Sequence, residues 1–177
     1  MLEERITMME LTEAIKKQKN GKAPGLDGIP AEMYKTLQDS LSNTLLEVVN
    51  EVLMEAKIPK SWMEAYIALI LKEDTDLQIK NYRPISLLNS DYKIFASIMA
   101  ERLKRFLNQF IHIDQIKDNM RINLNTLEYY EAHPEKQMAL IFLDAQKAFD
   151  NVNWKFMLAQ MEEMDFGERF IKMIKTL

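Results

Sequence analysis

The hydrophobic and polar positions follow two periods along the chain. Thr7 stands three residues ahead of Glu10 and just before apolar positions that recur every three or four residues. That pattern predicts a capped helix from about Met8 to the Asn20-Gly21 stop. Residues 22–30, KAPGLDGIP, hold two of the four glycines and two of the five prolines and read as a structured loop. Residues 31–38 return to a helical pattern. A second helix follows with Leu41, Leu45, Val48, Val49, Val52 and Leu53 on one face. AKIPKSW breaks it. AYIALILK (65–72) is a short apolar run between breakers and charges, hence a strand, and EDTDLQIKNYRP (73–84) is a polar loop. A long helix is predicted from Asp91 to about Phe110, opened by Asn89 or Ser90, and another over 118–132, stopped before Pro134. MALIFLD (138–144) carries the strongest strand signal. Helices over about 153–164 and 168–177 flank Gly167. The sum is a helix-rich α+β chain with no repeat and no internal boundary. The last helix has no stop signal, so its architecture is expected to continue past Leu177.

Composition changes this picture little. A chain of 177 residues, 47% of them apolar, is large enough for one domain with a sizeable core; such a domain buries roughly 70% of its unfolded surface. No run of about 18 apolar residues is present, so no membrane span is expected. The opening MLEERITMMEL is charged and lacks the apolar stretch of a signal peptide. The absence of cysteine removes disulfides and thiolate metal sites and fits an intracellular chain. The formal charge of −4 argues against a strongly basic nucleic-acid surface, although KKQKNGK (16–22) and the trio Arg102, Lys104 and Arg105 remain as local basic patches.

The candidate chemistry lies in LIFLDAQKAFDNVNW (140–154), where an apolar strand runs straight into Asp144. An ionised carboxylate is costly to bury unless it is paired, hydrogen-bonded or metal-bound. On spacing alone Asp144 either ends the strand and caps a turn or binds Mg²⁺, an ion that takes one or two carboxylates together with phosphates and waters. Asp150 reads first as the cap of the helix that Trp154 opens. Asp27 and Gly28 read as turn formers. Lys22 reads as a solvated lysine first and a template-phosphate contact second. Trp62 and Trp154 read as packing residues before base-stacking ones. His112 and His133 have no metal-ligand spacing. ERLKRFLNQFI (101–111) reads as an amphipathic helix first and a template track second.

FLDAQKAFDNVNW resembles the first catalytic motif of reverse transcriptases in the form used by LINE-type (non-LTR) retrotransposons. GKAPGLDGIPAEMYK (21–35) resembles that family's entry motif, and the stretch from 65 to 103, with NYRPISLLN inside it, resembles its fingers segment. The similarity covers nearly the whole chain. It implies a partial right-hand polymerase fold: a fingers-like region over about 1–137, then the first palm strand and following helices over about 138–177. It implies that Asp144 is the catalytic residue and binds metal together with the backbone carbonyl of Ala145. Lys72 and Arg83 would hold the nucleotide triphosphate, and Phe149 would pack under its sugar and exclude a 2′-hydroxyl. The implied partners are an RNA template, a DNA primer and deoxynucleotides, the implied cofactor is Mg²⁺, and the implied location is nuclear or cytoplasmic.

Two departures from the family pattern qualify the activity. Ile116 runs almost directly into Lys117-Asp118-Asn119, where the family carries an additional Gly-Phe-containing fingers segment. The family's paired-aspartate hairpin and thumb have no counterpart among these 177 residues. Two Mg²⁺ ions about 4 Å apart repel by about 17 kcal/mol at an effective dielectric of about 20, which one aspartate and a triphosphate do not offset. These residues are therefore expected to be inactive alone, retaining at most one weakly held Mg²⁺-nucleotide. The alternatives are a partner chain that supplies the missing aspartates, a domesticated non-enzymatic nucleic-acid- or protein-binding module, and a non-functional relic.

Overall fold

The computed structural model describes residues 2–73, 76–109, 113–139 and 151–176, with Lys80 and residues 113–119 in backbone only. Among the described residues the elements run α1 (Met8–Lys17), α2 (Ala31–Thr36), α3 (Gln38–Glu55), β1 (Tyr66–Leu71), β2 (Tyr82–Leu87), α4 (Ser90–Leu107), α5 (Ile113–Glu131), α6 (Trp154–Glu163) and α7 (Glu168–Thr176), with short 3₁₀ turns at Lys60–Trp62 and Ile79–Asn81. The helix-rich α+β class read from the pattern holds.

Helix α1 forms where the capping box places it. Glu10 N donates to Thr7 Oγ1 at 3.3 Å, and Thr7 N donates to Glu10 Oε2 at 2.9 Å. Its apolar stripe, Leu11, Ala14 and Ile15, is buried. Helix α1 packs on both α3 and α4, and α7 closes the other side of α3. One core results, in which Phe95, Phe170, Leu11, Ile15, Leu53, Ile94 and Met173 are fully enclosed. Each such side chain stabilises the fold by roughly 1.5–3 kcal/mol relative to exposure. The predicted face of α3 is the buried one, with Leu45, Val49, Val52 and Leu53 inside and Leu41 and Val48 half-buried.

The late helices belong to this same core. Phe166 packs edge-on against Phe106, ring centroids 4.6 Å apart. Glu3, near the start of the chain, accepts from Arg169 N at 2.6 Å and Phe170 N at 3.3 Å. A carboxylate is thereby placed on the orphan donors at the start of α7, where it also meets the helix dipole favourably. Helix α5 stands apart from the core, with Met120, Ile122 and Leu124 all exposed.

Arg102 corrects the basic-patch reading. It lies on the inward stripe of α4 after Ile94, Phe95, Ile98 and Met99, and is 4% exposed. Its guanidinium donates to both carboxylate oxygens of Glu10, at 2.7 and 2.9 Å, and to the carbonyls of Glu4 (2.6 Å) and Arg5 (3.0 Å). All of this arginine's polar capacity is directed into the protein.

Several boundaries move. Helix α1 stops at Lys17 instead of Asn20, because Gln18 turns extended. Residues 82–84, read as loop, open strand β2. Helix α5 begins at Ile113 and runs unbroken across the Ile116 junction. Trp154 is 62% exposed, whereas Trp62 is buried as expected. The cap of α6 is Asn153, whose Oδ1 accepts from Phe156 N at 3.1 Å. Asn153 immediately precedes the first helical residue, which is the capping position; Asp150, read first for that role, lies outside the described residues. The predicted strand at 138–144 falls largely outside the described residues.

Candidate nucleotide and nucleic-acid site

YIALIL forms β1 because a short run rich in apolar and β-branched side chains suits a pleated ribbon. It pairs antiparallel with β2 in a fixed register: Tyr66 opposite Leu87, Ala68 opposite Ile85, Ile70 opposite Arg83, Leu71 opposite Tyr82. Beyond the strand, Lys72 N donates to Asn81 O at 2.8 Å, so the register extends to a Lys72–Asn81 pair. Directly opposed residues share a face and alternate residues along a strand share it too. Lys72, Ile70, Arg83 and Asn81 therefore lie on one face, with Lys72 and Arg83 as diagonal neighbours. Pro84 stands opposite Leu69. Proline is tolerated here because a two-stranded ribbon consists only of edges.

The base of this hairpin is fixed to the helical core. Trp62, just before β1, is buried against Tyr92 and Phe95, with ring centroids 5.6 and 5.2 Å away. Its Nε1 donates to Asp91 Oδ2 at 2.8 Å. Asn89, just after β2, is 3% exposed and donates from Nδ2 to Ser61 O at 3.2 Å. From the base pair Tyr66–Leu87 the strands then carry Arg83 about 14 Å and Lys72 about 20 Å outward at ~3.4 Å per residue.

Two sequence motifs meet at the same base. The loop 22–30 docks on the start of α4: Asp27 N donates to Asn89 Oδ1 at 3.4 Å, Ser90 Oγ donates to Ile29 O at 2.8 Å, and Lys93 Nζ donates to Ala23 O at 3.4 Å. Gly25 is required by proximity, since a Cβ there would lie 2.1 Å from Asn89 Oδ1 and 2.6 Å from the Leu88 carbonyl carbon. Asp27 forms the turn assigned to it, its Oδ1 accepting from Ile29 N at 3.0 Å while Gly28 adopts φ +68°. Asn89 was readable only as a helix cap. Its side chain makes no cap hydrogen bond and instead joins loop, turn and helix.

Of the residues assigned to the site, Lys72 and Arg83 are brought to one face of the hairpin. Asp144, Ala145 and Phe149 lie outside the described residues. Among the described residues no group of three or more His, Asp and Glu side chains converges to hold a metal ion. His133 stacks on Tyr129 with ring centroids 4.3 Å apart, and its Nδ1 is 2.8 Å from Tyr129 O. No described helix is long and apolar enough to cross a membrane.

Residues 70–177 match the family described as "Reverse transcriptase (RNA-dependent DNA polymerase)". The chain belongs to the reverse transcriptase family. Its relatives come from LINE-type elements. It is 33% identical to the Transposon TX1 uncharacterized 149 kDa protein of Xenopus laevis, across 99% of this chain and 14% of that protein. It is 26% identical to the Retrovirus-related Pol polyprotein from type-1 retrotransposable element R1 of Bradysia coprophila, across 92% of this chain and 17% of the relative. It is 32% identical to the RNA-directed DNA polymerase from mobile element jockey of Drosophila melanogaster, across 83% and 17% respectively. The chain thus spans less than a fifth of the length of these relatives. Among the described residues, its helices and two-stranded hairpin fit a partial reverse transcriptase fold.

Proposed function

We propose that this chain is the nucleotide-receiving part of a LINE-type reverse transcriptase domain, built to take the triphosphate of an incoming deoxynucleotide on the hairpin face that carries Lys72 and Arg83. The observation that carries this reading is the pairing of a planar guanidinium and a flexible ammonium on one face of a ribbon, anchored at its base by Trp62 and Asn89. Arginine supplies a fork of donors matched to phosphate oxygens, and lysine a mobile point charge. A rigid base matters because positioning is most of what a polymerase contributes to phosphoryl transfer.

Asp144 and the Ala145 carbonyl would hold Mg²⁺, which would neutralise the triphosphate and polarise its α-phosphate when bound. Phe149 would pack under the sugar. One carboxylate and one carbonyl suffice for one hydrated Mg²⁺ on a nucleotide, but not for two ions. In the reaction of the whole domain, a primer 3′-hydroxyl attacks the α-phosphate opposite an RNA template and pyrophosphate leaves. The 177 residues alone stop short of that step.

Primer extension tests the reading. The purified chain, given an RNA template, a DNA primer, deoxynucleotides and Mg²⁺ or Mn²⁺, is expected to incorporate nothing. Incorporation that disappears in Asp144→Ala would overturn the inactivity.

A further inference from the structure

The β1–β2 register leaves one strand edge open and closes the other. Lys72 N donates to Asn81 O, so the even positions of β1 exchange hydrogen bonds with β2 and the odd positions do not. The N–H and C=O groups of Ile67, Leu69 and Leu71 therefore point away from β2, along the outer edge of β1. On β2 the outward positions are Tyr82, Pro84 and Ser86. Pro84 has no N–H to offer, and its ring stands where a neighbouring strand would lie, so that edge is blocked. Strand β1, YIALIL, has no proline, glycine or charge to protect its own edge. Among the described residues the sheet ends at these two strands.

Both faces of β1 are uncovered as well. Tyr66 and Ile70 on one face, and Ile67 and Leu69 on the other, are each more than half exposed. The flanks carry opposite charges: Glu64 lies two residues before β1 and Lys72 one residue after it. Ala68 stands midway between them. An antiparallel copy of β1 turned about Ala68 brings Glu64 of each chain opposite Lys72 of the other, Tyr66 opposite Ile70, and Ile67 opposite Leu69. Opposite charges and aromatic–β-branched pairs at such positions are stabilising. The phase agrees too. Odd positions meet odd positions, so the open groups of Ile67 and Leu69 form hydrogen-bonded pairs, while Glu64 and Lys72 fall at the closer, non-hydrogen-bonded sites. A slip of one residue misaligns the hydrogen bonds, and a slip of two loses both ion pairs.

We infer that β1 pairs edge to edge with β1 of a second copy of this chain, making a symmetric four-stranded antiparallel sheet in the order β2–β1–β1–β2. The contact is isologous. Its outer edges are the two proline-bearing strands, so assembly closes at the dimer instead of growing into a fibre. The strand edge makes the contact and the Glu64–Lys72 pairs set its register, so the dimer stands or falls apart from nucleotide uptake.

Sedimentation velocity of the full chain, without nucleotide or metal, tests this. Between about 1 and 100 µM the sedimenting species should shift reversibly from 20.8 kDa to twice that mass. Leu69→Pro removes an outward N–H and none that bonds β2, and should weaken association by about tenfold or more. Glu64→Lys sets like charges opposite each other and should weaken it by about fivefold, and Glu64→Lys/Lys72→Glu should restore it. Leu77→Gln/Ile79→Gln, which removes exposed apolar surface outside β1, should leave it unchanged. A cooperative urea transition verifies each variant as folded. A chain that stays monomeric at about 100 µM overturns the inference and leaves the β1 edge to a strand of different sequence. A dimer that survives Leu69→Pro, one weakened equally by Leu77→Gln/Ile79→Gln, or assembly beyond two copies overturns it as well. If Leu69→Pro does not fold, the charge exchange decides: Glu64→Lys without effect, or not rescued by the exchange, overturns the pairing.

Discussion

Arg102 and Glu10 form a two-point ion pair between α4 and α1 across 92 positions of sequence, and this pair joins the capping box of α1 to the hydrophobic core. Arg102 is nearly sealed, with its side chain 5% exposed against 18% for Glu10. Breaking a buried pair from one side leaves the other charge uncompensated, typically at about 3–5 kcal/mol. Glu10→Gln should cost about 3 kcal/mol in a urea unfolding experiment, and substitution of the exposed Glu47 less than about 0.5 kcal/mol.

The same pair sets an acid limb. The Arg102 hydrogen bond, aided by the Thr7 contacts against the effect of burial, lowers the Glu10 carboxyl from an ordinary 4.5 to about 2. Because the carboxyl is the stronger acid when folded, its contribution is complete above the unfolded value and is lost as pH falls through 4.5 toward 2. About 3 kcal/mol of stability is expected to disappear over that interval by this group alone. Urea midpoints measured at descending pH should show a steeper loss in wild type than in Glu10→Gln.

Gly167 and Glu3 depend on each other. Gly167 adopts φ +89°, and a Cβ there would lie 2.6 Å from the Glu3 carboxylate. Gly167→Ala should cost about 1–3 kcal/mol through backbone strain and loss of the cap. Glu3→Ala should cost about 0.5–2 kcal/mol. In the double variant the alanine no longer meets the carboxylate, so the combined loss should fall short of the sum, readable as a double-mutant cycle in thermal unfolding.

The joint between the loop and the hairpin base is equally specific. Asn89→Ala removes a buried side chain and the hydrogen bonds it makes to Asp27 N and Ser61 O, and should destabilise by about 1–3 kcal/mol. Gly25→Ala should be at least as damaging, because its obstacles include backbone atoms of Leu88 and Asn89. Hydrogen exchange is expected to rise at Asp27 and Ile29 in both variants while the α1–α3 core stays protected.

The sequence made the locally determined parts legible and concealed those set by distant partners. The capping box fixed the start of α1 to the residue. Its end was misplaced because Lys35, from α2, holds the carbonyl of Gln18. Strand β2 was hidden by Pro84, which argues against a central strand but not against an edge. Arg102 looked like a surface charge beside Lys104 and Arg105, since nothing within ten residues indicates Glu10. Asn89 showed a capping residue type but not its actual partners. Lys72 and Arg83 were identified as a pair through family resemblance, and the β1–β2 register supplies what the linear pattern lacked, namely that they share a face.

Calorimetric titration of magnesium-dGTP into the 177-residue chain tests the central claim most directly. The account predicts weak, saturable, magnesium-dependent uptake that Asp144→Ala abolishes and that Lys72→Gln or Arg83→Gln each weakens by about tenfold or more, with every variant verified as folded by its urea transition. Identical magnesium-dependent uptake by wild type and Asp144→Ala would contradict it.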